Sequence, residues 1–263
     1  MNANSTFLIG KDHTICEDYA LSGTTDKISY AIVCDGCSAS PEVDFGARIL
    51  AMSAKRAILT SRDNDPDRFG EMIIKNAEQI WEVLPHLHRQ ALDATVLTTW
   101  VENNLLFARL YGDGVFIHKS GQNIYAINMH LTSGAPDYLS YSLDEKRLEL
   151  YKAMKGNVKS IEIYEALNEN KTNSLGVHDP FVPVTLKREV KPGDIVAVIS
   201  DGINSFRKSD NAEIDWVDLI EEFTGFKNTE GEFVIRRISA FKRKCLKEGT
   251  THHDDISISA IIV

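Results

Sequence analysis

Four acidic positions in this chain could do chemistry together. They are Asp18, preceded by Glu17, in ICEDYA; Asp35, followed by Gly36, after YAIVC; Asp201, followed by Gly202, after IVAVIS; and Asp254, followed by Asp255, ahead of ISISAIIV. Each stands where an extended or apolar segment begins or ends. A carboxylate in such a place sits at the rim of a core, where an unpaired charge is costly unless a cation or hydrogen bonds compensate it. Several converging carboxylates make an oxygen-rich site for hard ions such as Mg²⁺ or Mn²⁺, which keep waters of their own and need only a few Asp ligands and a backbone carbonyl. Two such ions close together can hold a hydroxide between them and stabilise both ends of an in-line displacement at phosphorus. Glycine after Asp35 and Asp201 lets the backbone approach an ion. Taken singly, each Asp-Gly is equally an ordinary turn; the repetition in strand contexts is what points to a site.

Other reactive groups are weaker candidates. Cys34 and Cys37 have CxxC spacing, but a zinc site needs a second pair, and Cys16 and Cys245 are solitary. Cys34 lies inside an expected buried strand, which disfavours redox chemistry. An aspartyl-nucleophile phosphohydrolase would carry Asp-x-Asp at its first strand, whereas Asp35 is followed by Gly36 and Cys37. Trp81, Trp100 and Trp216 lie in apolar patterns and read as core.

These residues need elements to position them. Phe7–Ile9, Asp18–Leu21 and Lys27–Cys34 read as neighbouring strands of one sheet. Helical spacing follows over Glu42–Thr60, with Phe45, Ile49, Met52 and Ile58, and over Pro66–Leu84, with Phe69, Ile73, Ala77 and Ile80. From Ala94 the period becomes that of strands: TVLTTWV, LLFARLY, VFIHK and QNIYAINM, separated by turn residues, predict an antiparallel meander. The stretch 132–179, with a short helix at Asp144–Met154 and a strand at Val158–Tyr164, is expected to be an insert or flap. Strands at Val182–Val190, IVAVIS and Ile256–Val263, and helices at Ile214–Phe223 and Glu232–Leu246, complete the chain. Strand runs with paired helices favour an α+β fold of packed antiparallel sheets.

At 263 residues, 43% hydrophobic and 25% charged, the chain fits one large domain spanning 1–263. The formal charge of −9 and scattered basic residues argue against nucleic-acid binding. No segment approaches a membrane span and the start lacks a signal-peptide pattern, so a cytoplasmic location is expected. Four cysteines are too few for a disulfide scaffold. Oligomeric state is not legible.

The motifs resemble the metal-dependent protein phosphatase 2C family, in its small bacterial-type form, from Gly10 to Val263. The matching blocks are ICEDYA, AIVCDGCSAS followed by FGARI, DATVL, LYGDGVFI, KPGDIVAVISDGINSF and HDDISISAIIV. The resemblance implies a four-layer α-β-β-α sandwich with the metals at one edge. It implies hydrolysis of phosphoserine or phosphothreonine in proteins by a hydroxide bridging two Mg²⁺ or Mn²⁺ ions, on substrates of a cognate Ser/Thr kinase. Carried over, Asp35 bridges both metals, the Gly36 carbonyl binds one, and Asp201 and Asp254 bind the other. Glu17 and Asp18 hold metal-bound waters, and Asp113 contributes to a third, weaker metal. His252 and His253 are then supporting residues, since the family uses oxygen ligands.

Three departures stand out. His13 occupies the place of an arginine that grips the substrate phosphate, and lacks its bidentate fork. Cys37 replaces a histidine proposed to protonate the leaving group, and a thiol is a poor general acid near neutrality. Ser205 stands where an Asp often supports the third metal. His13 and Cys37 also fit an alternative, a catalytically weak or inactive phosphatase-like module that signals by docking.

Overall fold

A computed structural model describes residues 1–60, 65–84, 86–131, 136–153, 159–165, 170–176 and 182–263. The chain opens with β1 (Asn2–Leu8), β2 (Tyr19–Thr24) and β3 (Ile28–Cys34), then forms α1 (Val43–Thr60), α2 (Pro66–Trp81) and a 3-10 turn at Arg89–Leu92. Two hairpins follow: β4 (Val96–Glu102) with β5 (Leu105–Tyr111), and β6 (Gly114–Ser120) with β7 (Asn123–Leu131). Next come a 3-10 turn at Leu139–Leu143, α3 (Glu145–Ala153), β8 (Lys159–Glu165), β9 (Asn170–Gly176), β10 (Val184–Glu189) and β11 (Ile195–Ile199). A 3-10 turn at Asp201–Ser205, the short β12 (Phe206–Arg207), α4 (Trp216–Thr224), α5 (Phe233–Glu248), the short β13 (Thr251–His252) and β14 (Ile256–Ile262) close the chain.

The strands form a seven-stranded sheet, β1-β14-β11-β6-β7-β8-β9, and a five-stranded sheet, β10-β5-β4-β3-β2, besides the small β12-β13 ladder. Alternation of side chains along each strand explains the layering. In β3, Tyr30, Ile32 and Cys34 pack with α1 and α2, while Ala31 and Val33 join a core shared with Val196, Val198, Phe116 and Ile261 of the other sheet. In β11 and β14, Ala197, Ile199, Ile258 and Ala260 instead face α4 and α5. Central strands therefore read as continuous apolar runs because both of their faces are covered. The result is the α-β-β-α sandwich, with α1 and α2 outside one sheet and α4 and α5 outside the other.

Two strand expectations are corrected. β1 does not join β2 and β3; it pairs with β14 in the seven-stranded sheet, register Asn2↔Ile262 to Leu8↔Ile256. The four-strand meander is two hairpins in different sheets. The chain changes sheet at Gly112-Asp113-Gly114, where both glycines have positive φ, 94° and 124°, a conformation other residues rarely adopt.

Local signals fix the helix ends near the site. Asp215 caps α4 by accepting from the Val217 N–H at 3.0 Å. Gly249, left-handed at φ 69°, ends α5. α1 passes so close to the Arg89–Leu92 turn that a Cβ on Gly46 would stand 1.5 Å from the Ala91 carbonyl oxygen. Of the stretch 132–179, residues 132–135, 154–158, 166–169 and 177–179 lie outside the described residues. The rest supplies the helical segments 139–153 and the strands β8 and β9 that extend the large sheet. Arg147 of α3 ties this segment down by pairing at 2.7 Å with buried Asp93, which also accepts from Ser40 and Ser140 at 2.7 and 2.6 Å.

Candidate metal centre

The site lies where one end of each sheet meets the other. Beyond β3, the Asp35–Cys37 segment stays zipped to the run leading into β4. The Asp35 N–H donates to Thr95 Oγ1 at 3.2 Å, the Thr95 N–H to the Asp35 carbonyl at 2.8 Å, and the Cys37 N–H to the Asp93 carbonyl at 2.8 Å. Gly36 bridges Ala94 within this ladder. A Cβ on Gly36 would lie 2.9 Å from both the Glu17 carbonyl oxygen and Val43 Cβ.

Beyond β11, fully buried Ser200 joins three elements. Its hydroxyl donates to Asp18 Oδ2 at 2.7 Å and accepts from the Ser257 N–H at 2.9 Å, while its own N–H donates to the Ser257 carbonyl at 3.0 Å. The Asp201–Ser205 turn then presses on the strand-entry loop: a Cβ on Gly202 would stand 1.8 Å from the Asp255 carbonyl oxygen. The glycine thus serves backbone-to-backbone approach, which is what sets Asp201 beside Asp254. Ser205 completes the join by accepting from the His253 and Asp254 N–H groups, each at 3.2 Å.

Asp18, Asp35, Asp201, Asp254 and Asp113 are brought together. Asp35, Gly36, Asp113, Asp201 and Asp254 line one cleft of about 370 Å³, with Cys37, Thr95, His130 and Tyr138 among the other walls. Asp18 is 1% exposed and lies behind them. Burial holds both Asp18 and Asp35 well above the usual carboxylate range. The hydrogen bond from Ser200 partly offsets this at Asp18, whereas the charges of Asp18, Asp201 and Asp113 add to it at Asp35. Asp254 is raised by partial burial and then by Asp201.

Glu17 faces an adjoining pocket with Asp12 and His13 and accepts from Ser38 Oγ at 2.6 Å. His13 has both ring nitrogens on carboxylates, Nε2 3.2 Å from Asp254 Oδ1 and Nδ1 3.1 Å from Asp255 Oδ2. Burial opposes its charged form, but Asp255 and Asp254 outweigh this and raise its pKa. Asp255, 2% exposed, also accepts from the Gly10 and Glu17 N–H groups at 2.7 and 2.6 Å, so it folds the Gly10–Glu17 loop onto the site. His253 pairs with Asp12 and His252 with the Ile9 carbonyl. Ser200 and Asp255 are the supporting residues that motif reading misses, the Asp254-Asp255 doublet being the one hint of the latter; Thr95, in DATVL, reads as a residue of strand packing and local hydrogen bonding, and its bonds to Asp35 are of that kind.

The residues fit hard divalent ions. Asp18 Oδ1 and Asp201 Oδ1 are buried and have no hydrogen-bond partner, which leaves two charged oxygens in need of a cation. The donor set is all oxygen.

The family model described as Protein phosphatase 2C matches residues 10–241. No curated protein sequence matches the chain. Among solved structures, the S. agalactiae serine/threonine phosphatase superposes with a TM-score of 0.57 at 13% identity, over 100% of this chain and 99% of that one. The Mycobacterium tuberculosis serine/threonine phosphatase PstP/Ppp gives 0.53 at 14%, over 98% and 97%. The PstP catalytic domain in complex with two manganese ions gives 0.52 at 14%, over 98% and 96%. At these identities the likeness is one of fold.

Proposed function

The chain belongs to the protein phosphatase 2C family, and from that premise we propose that it is a single-domain, Mg²⁺- or Mn²⁺-dependent phosphatase acting on phosphoserine and phosphothreonine in proteins, the products of a Ser/Thr kinase. The observation that carries this is the convergence of buried carboxylates with orphaned oxygens at the back of an open cleft. None of the described residues lining that cleft is Lys or Arg. Apart from the His130 imidazole, positive charge for a phosphate dianion would come there from cations held by the carboxylates, so substrate binding and metal binding are coupled.

When bound, two divalent ions supply charge for the phosphoryl oxygens and acidify a water for attack on phosphorus. The chain's own residues do the holding. Asp35, with the Gly36 carbonyl, stands on the Asp93–Thr95 ladder and would hold the ions together with Asp201 and Asp254 at the end of the other sheet. Asp18 is oriented by Ser200 behind them, and Glu17 by Ser38 to one side. Asp113, at the sheet crossover, would contribute to a third ion. His13, clamped between Asp254 and Asp255, orders the metal-binding loop in place of gripping phosphate.

The test is hydrolysis of p-nitrophenyl phosphate and a phosphothreonine peptide with Mn²⁺, Mg²⁺ or EDTA, by wild type and Asp201→Asn. Metal-dependent turnover that the variant loses is the expected result. Metal binding by calorimetry without turnover of either substrate would favour the docking module instead.

A further inference from the structure

Among the described residues lining the cleft, one side chain can carry a positive charge, His130. Its place follows from the sheet. Asp254 precedes β14, Asp201 follows β11, Asp113 precedes β6, and His130 is the penultimate residue of β7. These four strands are successive antiparallel neighbours, so all four positions emerge at the same end of the sheet. His130 shares a face of β7 with Asn128, whose Nδ2 donates to Asn204 Oδ1 in the Asp201–Ser205 turn at 3.1 Å.

The imidazole has a fixed neighbour. Opposite Asn128 on β8 stands Glu162, whose Oε2 accepts from the Trp216 indole N–H at 2.8 Å and lies 4.0 Å from His130 Nε2. Trp216 is buried in the α4 core, so Glu162 is held from behind and places a carboxylate near the ring. The His130 side chain is itself 37% exposed, which suits a group that must meet both substrate and solvent.

Hydrolysis of a phosphoserine or phosphothreonine ester expels an alkoxide, a poor leaving group unless it is protonated as it departs. Among the described residues, the other donors on the cleft wall are hydroxyls and a thiol: Ser38, which donates to Glu17, Thr95, which accepts from the Asp35 N–H, Tyr138, whose phenol pKa burial raises further above its ordinary value, and Cys37. Imidazole is also the side chain whose ordinary titration lies nearest neutrality.

Resting on the phosphatase reading above, we propose that His130 is the proton donor to the leaving oxygen. The oxygen of the attacking water forms the new bond to phosphorus, and its proton passes to solvent. The ester P–O bond breaks, its electron pair stays on the ester oxygen, and that oxygen takes the proton from the His130 imidazolium to give the free alcohol. The neutral imidazole regains a proton from solvent.

The experiment compares wild type with His130→Gln on a phosphothreonine peptide and on p-nitrophenyl phosphate, whose nitrophenolate departs as a stable anion without a proton. Turnover of the peptide should fall about a hundredfold and that of the nitrophenyl ester should stay within about twofold. Mn²⁺ affinity by calorimetry and the melting temperature should be unchanged. Equal loss on both substrates, no loss on either, or weakened Mn²⁺ binding would overturn the proposal while leaving the phosphatase reading intact. A wild type inactive on both substrates would remove that reading and this proposal with it.

Discussion

Asp18 and Asp35 set the behaviour of the metal-free protein. Each is buried among like charges, and each binds its proton more tightly when folded than the ordinary Asp value near 3.8, Asp18 being pushed up to about 7. The folded state therefore holds more protons than the unfolded chain between those limits, so stability falls as pH rises through this window. In EDTA the melting temperature should climb as pH drops from about 8 to about 5. Asp35→Asn should flatten that slope and melt higher than wild type at neutral pH. Mn²⁺ should stabilise the wild type by about 2.7 kcal/mol per ion at a hundredfold excess over Kd, and the variant far less. A wild type whose EDTA melting curve is pH-independent, or an Asp35→Asn protein that keeps the full Mn²⁺ response, would count against a shared carboxylate site. Asp35 and Asp201 were legible as candidates because a strand end followed by Asp-Gly is a local pattern, and Asp18 and Asp254 because an acidic pair stands just ahead of a strand. Ser200 was not, since a serine joining β11, β14 and Asp18 has a role only once those segments meet.

Elements place those residues through close backbone contacts that motif reading interprets differently. Glycine after aspartate suggested room for an ion, but at Gly202 the neighbour is the Asp255 carbonyl oxygen, 1.8 Å from where a Cβ would stand. A backbone atom of a strand-entry loop cannot swing aside as a flexible side chain can. Gly202→Ala should cost about 3 kcal/mol and weaken Mn²⁺ binding as well, because the displaced turn separates Asp201 from Asp254. Gly121→Ala is the control: nothing lies within 4 Å of its Cβ, although φ is +61°, so it should cost only about 1 kcal/mol and leave metal affinity alone. Thermal melts and calorimetry on the two variants decide this; equal effects would mean that the close approach at Gly202 costs no more than the left-handed strain at Gly121. Helices and most strands were readable to within a few residues from their period. The sheet to which a strand belongs was not, because alternation reports which faces are covered and carries no information on the hydrogen-bonding neighbour. That is why β1, and the hairpin after Asp113, were assigned to the wrong sheet.

Across the whole molecule, the cleft draws on both sheets. Asp35 leaves the five-stranded sheet and Asp18 leads into it, while Asp201, Asp254, Asp113 and His130 belong to the seven-stranded one. The core between the sheets, with Val33, Leu97, Phe116, Val198 and Ile261, presses them together by burial of apolar surface, which has no direction of its own. At the rim the two sheets meet through charged groups that repel until cations arrive. Bound ions should therefore tie one sheet to the other, and local opening at this end should be suppressed in both at once. Hydrogen exchange followed with and without Mn²⁺ should show slower exchange at the Asp35 and Thr95 amides of one sheet and at the Ser200 and Ser257 amides of the other. The opposite end of the sandwich, where the Gly193 N–H donates to the Val263 carbonyl and the Val263 N–H to the Asp194 carbonyl, should change little. Asp201→Asn should abolish the effect in both sheets, including the one that does not carry the substitution. Protection confined to the seven-stranded sheet would mean that the ions bind there alone, and that Asp18 and Asp35 are buried charges with some other purpose.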